Sequence, residues 1–291
     1  MEESASKSSG VGRLIGSSMS FMRKCLFRVL SVGPIPGHIA VILDGNRRYA
    51  RKWNLGEGMG HHAGFLSLMS LLKYCYELGV KYVTIYAFSI DNYKRRPEEV
   101  KGVMDLMQEK IEGLLREQSV VRQYGVRVYF IGNLDLLSDP VKRAAKDAMR
   151  ATAANSRSIL MICAPYTSTD EILHAALESC QDKASQISGP LNSAAAAQNG
   201  EVNDHGEETR DIIKLSDVER RMYMSVAPDP DILVRSSGET RLSNFLLWQT
   251  TNCLLYSPKA LWPEIGLRHL VWAVLNFQRS YPFFENRKKL L

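Results

Sequence analysis

Apolar positions along this chain recur with two alternating periods. Ile39–Leu43 is a continuous apolar run of strand length that stops at Asp44. Such a run suits a strand buried on both faces. Tyr82–Phe88, Val126–Ile131, Ile159–Ala164, Asp231–Val234 and Cys253–Tyr256 read as further strands. Helical spacing lies between them. Gly60–Leu78 carries Phe65, Leu68, Met69, Leu72, Cys75 and Tyr76, with Gly79 placed to cap its end. Pro97–Val121 reads as one long helix with proline in its first turn and Glu98 and Glu99 beside it. Asp139–Asn155, Thr167–Cys180, Asn244–Thr251 and Pro263–Phe277 are also expected to be helical. Alternation of this kind predicts an α/β fold with a mostly parallel central sheet of about six strands, flanked by helices through right-handed crossovers.

Three stretches fall outside the pattern. Residues 1–33 begin Ser-rich and continue as a basic segment in which Ile15, Met19, Phe21, Met22, Leu26, Val29 and Leu30 recur at helical spacing. Arg13, Arg23, Lys24 and Arg28 lie between them, and no acid occurs from Ser4 to Leu43. Charge interrupts the segment too often for it to span a bilayer. It reads as an amphipathic helix for a membrane interface, with packing on its own domain, on a partner, or a transit peptide as the other readings. Residues 184–210 contain Ala194–Ala197 among Ser, Asn, Gly and acids, and read as a flexible insertion within one domain, 34–281. Residues 282–291 form a basic tail ending Lys288-Lys289-Leu290-Leu291, which also fits a dilysine retrieval pattern.

The 291 residues carry a net charge of +6, which fits phosphorylated ligands or an anionic surface. Cys25, Cys75, Cys163, Cys180 and Cys253 are odd in number and form no Cys-x-x-Cys pair. Reduced thiols in a cytosol-facing protein are therefore expected, with neither a zinc site nor a disulfide framework.

Polar residues gather where the strands end. The first strand runs into Asp44-Gly45-Asn46-Arg47-Arg48, and the second into Ser89-Ile90-Asp91-Asn92-Tyr93-Lys94-Arg95. The fifth runs into Arg235-Ser236-Ser237-Gly238-Glu239-Thr240-Arg241-Leu242-Ser243. In a parallel sheet these ends share one edge, where α/β proteins bind ligands. Arg47, Arg48, Arg95, Arg235 and Arg241 offer forked donors for phosphate, with hydroxyls from Ser89 and Ser243. That is more positive charge than one phosphate needs, and two pyrophosphate groups account for it. Asp44 beside two arginines suggests a hard metal ion bridging acid and pyrophosphate. Gly45 lets backbone approach a ligand. His61 reads equally as a phosphate contact or a ligand-free histidine at a helix start, and His62 as solvent-facing. Asp229-Pro230-Asp231 reads as turn chemistry. No Gly-x-Gly-x-x-Gly or Gly-Lys-Ser/Thr loop follows the first strand, which disfavours nucleotide binding, and no nucleic-acid partner is expected.

Three segments carry a resemblance: Asp44–Ala50 after an apolar strand, Tyr86–Arg95, and Asp231–Gln249. In sequence, order and spacing the chain resembles the cis-prenyltransferase (undecaprenyl diphosphate synthase-like) family from about Pro34 to Phe277. It looks most like the catalytic subunits of eukaryotic dehydrodolichyl diphosphate synthase and the plant rubber-type enzymes. The resemblance implies repeated condensation of isopentenyl diphosphate onto farnesyl diphosphate, each new double bond being cis, with an apolar tunnel for the growing chain. By motif, Asp44 would hold Mg²⁺. Gly45, Asn46, Arg47 and Arg48 would bind the allylic diphosphate, with His61 and Arg95 nearby. Arg235, Arg241 and Ser243 would bind isopentenyl diphosphate, and Ser89 and Asn92 would serve substrate placement and proton handling. The all-helical trans-prenyltransferases hold their metals with Asp-Asp-x-x-Asp, which this chain lacks.

Three departures from the family pattern stand out. A metal-binding Glu of the bacterial homodimers falls at Leu254 by counting, an arginine upstream of His61 is replaced by Glu57, and no Arg-x-Gly follows Tyr256. The resemblance therefore implies a Nogo-B-receptor-like accessory subunit supplying Arg-x-Gly, and a peripheral location on the cytosolic face of the endoplasmic reticulum membrane. The alternative is a non-catalytic scaffold subunit of the same two-subunit enzyme. Product length, in the dolichol or rubber range, depends on tunnel depth.

Overall fold

Six parallel strands form one sheet in the order β3-β4-β2-β1-β5-β6 in a computed structural model that describes residues 18–56, 58–116, 119–188 and 213–288. They are β1 (His38–Ile42), β2 (Tyr82–Tyr86), β3 (Val126–Ile131), β4 (Ser158–Cys163), β5 (Ile232–Arg235) and β6 (Leu254–Tyr256). Every residue of β1 and β5 is buried, as the apolar runs require. Side chains alternate between two cores. Ile39 and Val41 join Val83, Ile85, Val128 and Leu160 on one face, while Ala40 and Ile42 join Met161, Cys163 and Leu233 on the other.

The helices are α1 (18–30), α2 (Asn46–Lys52), α3 (Met59–Leu78), α4 (Pro97–Leu114), α5 (Val120–Gln123), α6 (Asp139–Ala151), α7 (Ser168–Ser188), α8 (Leu215–Arg221) and α9 (Leu267–Lys288). Gly79 caps α3, with the Val80 amide donating to the Cys75 carbonyl at 3.0 Å. The expected single helix Pro97–Val121 is two: α4 stops at Leu114, and Ser119 starts α5 afresh by accepting from the Arg122 amide at 3.2 Å. The expected helix Asn244–Thr251 is a run of turns. Ser243, Asn244 and Leu246 take positive φ, and the start of α7 holds the segment in place. Ser168 donates its amide to the Asn244 carbonyl at 2.8 Å, and its Oγ accepts from the Leu247 amide at 2.9 Å. Tertiary hydrogen bonds override local propensity here. α7 runs past Cys180 to Ser188, into the expected insertion, and α9 runs to Lys288. The remainder of that insertion (189–210) lies outside the described residues, as do 1–17, Glu57, 117–118, 211–212 and 289–291.

The chain moves from β1 to β2 on one side and later places β5 on the other, so the winding reverses at β1. Ligand crevices in open parallel sheets lie at such a point, outside the carboxyl ends of the strands. Register puts Ile42 level with both Tyr86 and Arg235, and Tyr86 level with Cys163. The three polar strand ends therefore converge on one edge.

The opposite edge carries a buried titratable group. His38 is fully buried, its Nδ1 2.7 Å from the Pro228 carbonyl and its Nε2 2.7 Å from the Thr84 hydroxyl. A neutral ring satisfies both, donating from Nδ1 and accepting at Nε2. Burial pushes its pKa down from 6.5 to about 4, partly offset by the Pro228 carbonyl and Asp231. The unfolded ring takes up a proton below its ordinary pKa and the folded ring does so only near pH 4, so stability falls as pH drops through that window. Chemical denaturation should show His38 contributing a loss of roughly 2 kcal/mol between pH 7 and pH 5. His38→Gln should lack that part of the pH dependence, and an unchanged pH slope in the variant would refute the assignment.

Candidate active site

The site begins where β1 stops. Asp44 follows Leu43 and is half-buried. Its backbone is gripped from both sides: the amide donates to Ser236 Oγ at 2.9 Å, the Ser236 hydroxyl donates to the Asp44 carbonyl at 2.6 Å, and the Trp262 amide donates to the same carbonyl at 2.9 Å. Gly45 then turns the chain into α2 with φ 115°, while Leu261 and Trp262 stand 3.1 Å from where a Cβ would be. A side chain there meets both backbone strain and a crowded wall.

Two guanidinium groups share the Asp44 carboxylate. Arg48, one turn along, donates to Oδ1 at 3.0 Å and to Ser237 Oγ at 2.6 Å. Arg235, at the end of β5, donates to Oδ2 at 2.9 Å and to Ser243 Oγ at 2.7 Å, and also bonds the Arg241 carbonyl. Arg235 is almost completely buried, whereas the Arg48 and Arg47 side chains reach solvent. Buried charges of this kind are retained when paired, and the Asp44–Arg235 pair joins the two halves of the chain at the point where the sheet winding reverses.

The surrounding charges are arranged in the same way. Arg47 lies 3.5 Å from Glu99, which also pairs with Arg96 at 2.9 Å. Arg241 pairs with Glu239. Burial first, and then Arg47, lowers the pKa of Arg95. His61 is held below its ordinary pKa by burial first and then by Arg95 and Arg47, which keeps the ring neutral among the guanidinium groups. Ser89 and Asn92 form a reciprocal cap: Ser89 Oγ accepts from the Asp91 amide at 3.2 Å, and Asn92 Oδ1 accepts from the Ser89 amide at 3.2 Å.

One cavity of about 750 Å³ joins these groups. Asp44, Asn46, Arg47, His61, Ser89, Asn92, Arg95, Arg235, Arg241 and Ser243 all line it, while Gly45 and Arg48 adjoin it through Asp44 without being part of its lining. From this polar mouth the cavity runs between α3, α4 and the sheet, where Phe65, Leu68, Met107, Ile111, Leu114, Phe130 and Leu160 form an apolar lining. Close packing shapes the mouth. A Cβ at Gly60 would meet the Asn46 carbonyl oxygen at 2.2 Å, and one at Gly64 would meet Asn46 Oδ1 at 2.1 Å.

Sequence reasoning passed over several residues that shape this site. Ser236 and Ser237 directly follow Arg235, so their hydroxyls were in view, but nothing in spacing revealed that they grip Asp44 and Arg48. Trp262 carries no chemical signal, yet its indole donates to the Gly64 carbonyl at 2.9 Å and its amide to Asp44. Glu99 was read only as a first-turn acid. Leu254 is resolved by position. It is level with Ile232 at the amino end of the sheet, and hence with Ile39, five residues or roughly 16 Å along the strand direction from Asp44. No side chain at 254 reaches the Asp44 of its own chain. Glu57, the second departure, lies outside the described residues.

Among the described residues no group of three or more His, Cys, Asp or Glu could hold a metal ion. The donors present do not fit an all-protein cage. They fit a hard cation held by one carboxylate, Asp44, together with phosphate oxygens.

Comparison with known proteins bears on this geometry. The undecaprenyl diphosphate synthase family model matches residues 42–284. A dehydrodolichyl diphosphate synthase of Solanum lycopersicum is 58% identical over 285 residues, 96% of this chain and 97% of that protein. The rubber cis-polyprenyltransferase HRT2 of Hevea brasiliensis is 56% identical over 283 residues, 97% of this chain and 96% of that protein. A dehydrodolichyl diphosphate synthase complex subunit of Homo sapiens is 35% identical over 273 residues, 94% of this chain and 76% of that protein. Among solved structures, lavandulyl diphosphate synthase from Lavandula x intermedia in complex with dimethylallyl diphosphate has a TM-score of 0.71 at 25% identity, covering 84% of this chain and 95% of that one.

Proposed function

The chain belongs to the undecaprenyl diphosphate synthase, or cis-prenyltransferase, family, and on that premise we propose that it is the catalytic subunit of a long-chain polyprenyl diphosphate synthase. Its substrates are farnesyl diphosphate as primer and isopentenyl diphosphate as extender. The observation that carries this reading is Asp44 shared between Arg48 and Arg235 at the mouth of a cavity whose far end is apolar. That constellation supports the catalytic reading over the scaffold one.

In each cycle a bond forms between the allylic carbon of the primer and the terminal alkene carbon of isopentenyl diphosphate. The allylic C–O bond breaks, diphosphate leaves with the electron pair, and a proton is lost from the extender. Arg47, Arg48, His61 and Arg95, with the backbone at Gly45 and Asn46, hold the primer diphosphate and stabilise the charge that develops on it. Arg235, Arg241 and Ser243 hold the extender. Ser89 and Asn92 line the same cavity and serve substrate orientation and the departing proton. The apolar end acts as a tunnel that keeps water from the allylic cation and receives the lengthening chain. Asp44 would hold Mg²⁺ together with substrate oxygens, and the ion would supply Lewis-acid stabilisation of the leaving group.

The human relative is named a complex subunit, which supports a two-component enzyme. We place the chain on the cytosolic face of the endoplasmic reticulum membrane beside a Nogo-B-receptor-like partner that contributes Arg-x-Gly. The test is incorporation of labelled isopentenyl diphosphate onto farnesyl diphosphate with Mg²⁺, with and without that partner, followed by sizing of the product. Long product only with the partner is expected. Full elongation by the chain alone overturns the two-component reading, and silence in both arms overturns the catalytic one.

A further inference from the structure

The turns after β5 hold an unfavourable shape. Ser243, Asn244 and Leu246 take left-handed φ between 48° and 58°, a conformation that residues with side chains rarely adopt. Contacts from outside the segment must therefore fix it. Ser168 supplies some of them, as described above. Others come from Tyr86, the last residue of β2. Its hydroxyl donates to the Tyr166 carbonyl at 3.1 Å and lies 3.4 Å from the Ser243 carbonyl. Its ring stacks on Phe245, with centroids 4.4 Å apart and planes 12° from parallel. Tyr166 meets both rings edge-on, at 6.0 Å from Tyr86 and 5.9 Å from Phe245. Edge-on and stacked pairs of this kind hold their partners in a defined geometry.

Tyr166 is a fixed post for this bracket. It is fully buried, and its hydroxyl donates to Glu171 Oε2 at 2.5 Å. The buried Glu171 carboxylate also accepts from the Gln249 amide group at 3.1 Å and from the Met224 backbone amide at 2.8 Å. The Tyr166 carbonyl accepts from the Ile90 amide at 3.3 Å as well, one residue beyond Ser89. One carbonyl thus gathers the phenol and the segment that bears Ser89. The Ser89 hydroxyl bonds the phenol directly, and the Arg235 charge acts on it. Burial pushes the phenol pKa up to about 12 against the pull of those two groups, so the phenol keeps its proton and donates at neutral pH. Tyr86 lines the same cavity as Ser89, Arg235 and Ser243, and Arg235 reaches the Ser243 hydroxyl at 2.7 Å. We infer that Tyr86 is a positioning residue that holds the Ser243 hydroxyl in place relative to Ser89, so that the extender is aligned with the primer. This role rests on the catalytic reading, which gives Ser243 to the extender diphosphate.

The experiment is calorimetric titration of the full chain with isopentenyl diphosphate, an unreactive farnesyl diphosphate analogue being present. Tyr86→Phe keeps the stacked ring and removes only the hydroxyl. It should raise the Kd for isopentenyl diphosphate by roughly 3–10-fold, the effect of one neutral hydrogen bond. The Kd of the farnesyl analogue, titrated alone, should stay within about twofold of wild type, since a residue that merely supports the fold would weaken both ligands. In a Ser243→Ala background the same substitution should have little further effect, because the hydroxyl that Tyr86 places is gone. An unchanged Kd in Tyr86→Phe overturns the role. Equal weakening of both ligands also overturns it, as does a full effect in the Ser243→Ala background, which would show that Tyr86 acts elsewhere. Wild type that fails to bind isopentenyl diphosphate overturns the catalytic reading and this role with it. Binding with the expected pattern but no elongation in the presence of the partner would overturn the catalytic reading alone.

Discussion

Asp44→Ala is expected to lower product formation by the chain with its partner by roughly 10²–10³-fold, the effect of removing one preorganised charge contact from a developing leaving group. The structural reason extends beyond a lost metal ligand. Asp44 accepts from Arg48 and Arg235, and the buried Arg235 has no other carboxylate among its hydrogen-bond partners. Removing the acid leaves that buried guanidinium without its counter-ion. Asp44→Asn keeps the size and one oxygen but loses the charge, so it separates the two roles. If the fold depends on the charge, Asp44→Asn will unfold at lower denaturant than wild type. If catalysis alone depends on it, the midpoint will hold while turnover collapses. Near-normal turnover of Asp44→Ala in the complex would show that another chain carries the chemistry, and the scaffold reading would take its place.

Arg235→Lys is expected to raise the KM for isopentenyl diphosphate by roughly 10–100-fold, since one or two charge-assisted hydrogen bonds are lost at about 1.5–3 kcal/mol each. The charge survives in this variant, so the loss is one of geometry. Arg235 spreads its fork across Asp44 Oδ2, Ser243 Oγ and the Arg241 carbonyl. A single ammonium on a flexible stem cannot reach all three. Ser243 sits at φ 50° and depends on that contact for its place. The KM for farnesyl diphosphate should change much less, because Arg47 and Arg95 arise from other segments. Steady-state kinetics with each substrate varied in turn checks the split, and equal increases in both KM values would contradict the assignment of Arg235 to the extender.

The strands were legible because a sheet covered on both faces favours apolar runs such as Ile39–Leu43 and Ile159–Ala164, and all six expected strands lie within two residues of those observed. The convergence of the polar clusters followed from parallelism alone. Two helices were misread for opposite reasons. Pro97–Val121 has no proline or glycine pair to break its periodicity, but Ser119 competes for the backbone and starts a new helix. Asn244–Thr251 has helical composition, but the hydrogen bonds that shape it come from Ser168 and Thr169, more than seventy residues away. Sequence distance also hid the grip on Asp44. Ser236 and Trp262 act through backbone contacts to residues roughly two hundred positions earlier, and no local pattern encodes such partners. Counting from a motif marks Leu254 as a substituted ligand, and the register of β6 places it out of reach of Asp44 in its own chain.

Asp44 has two oxygens and two guanidinium partners, one from each side of the site, and this makes the two substrates thermodynamic neighbours. A diphosphate that draws Arg48 away leaves the carboxylate to Arg235 alone, and a diphosphate on Arg235 does the reverse. Each binding event alters the partner available to the other, so affinity for one substrate carries a coupling free energy with the other. Linkage is reciprocal: the factor by which isopentenyl diphosphate alters the Kd of a farnesyl analogue must equal the factor in the other direction. Titrating each with and without the other measures that factor, and a value of one in both would mean that Asp44 serves the two sites independently.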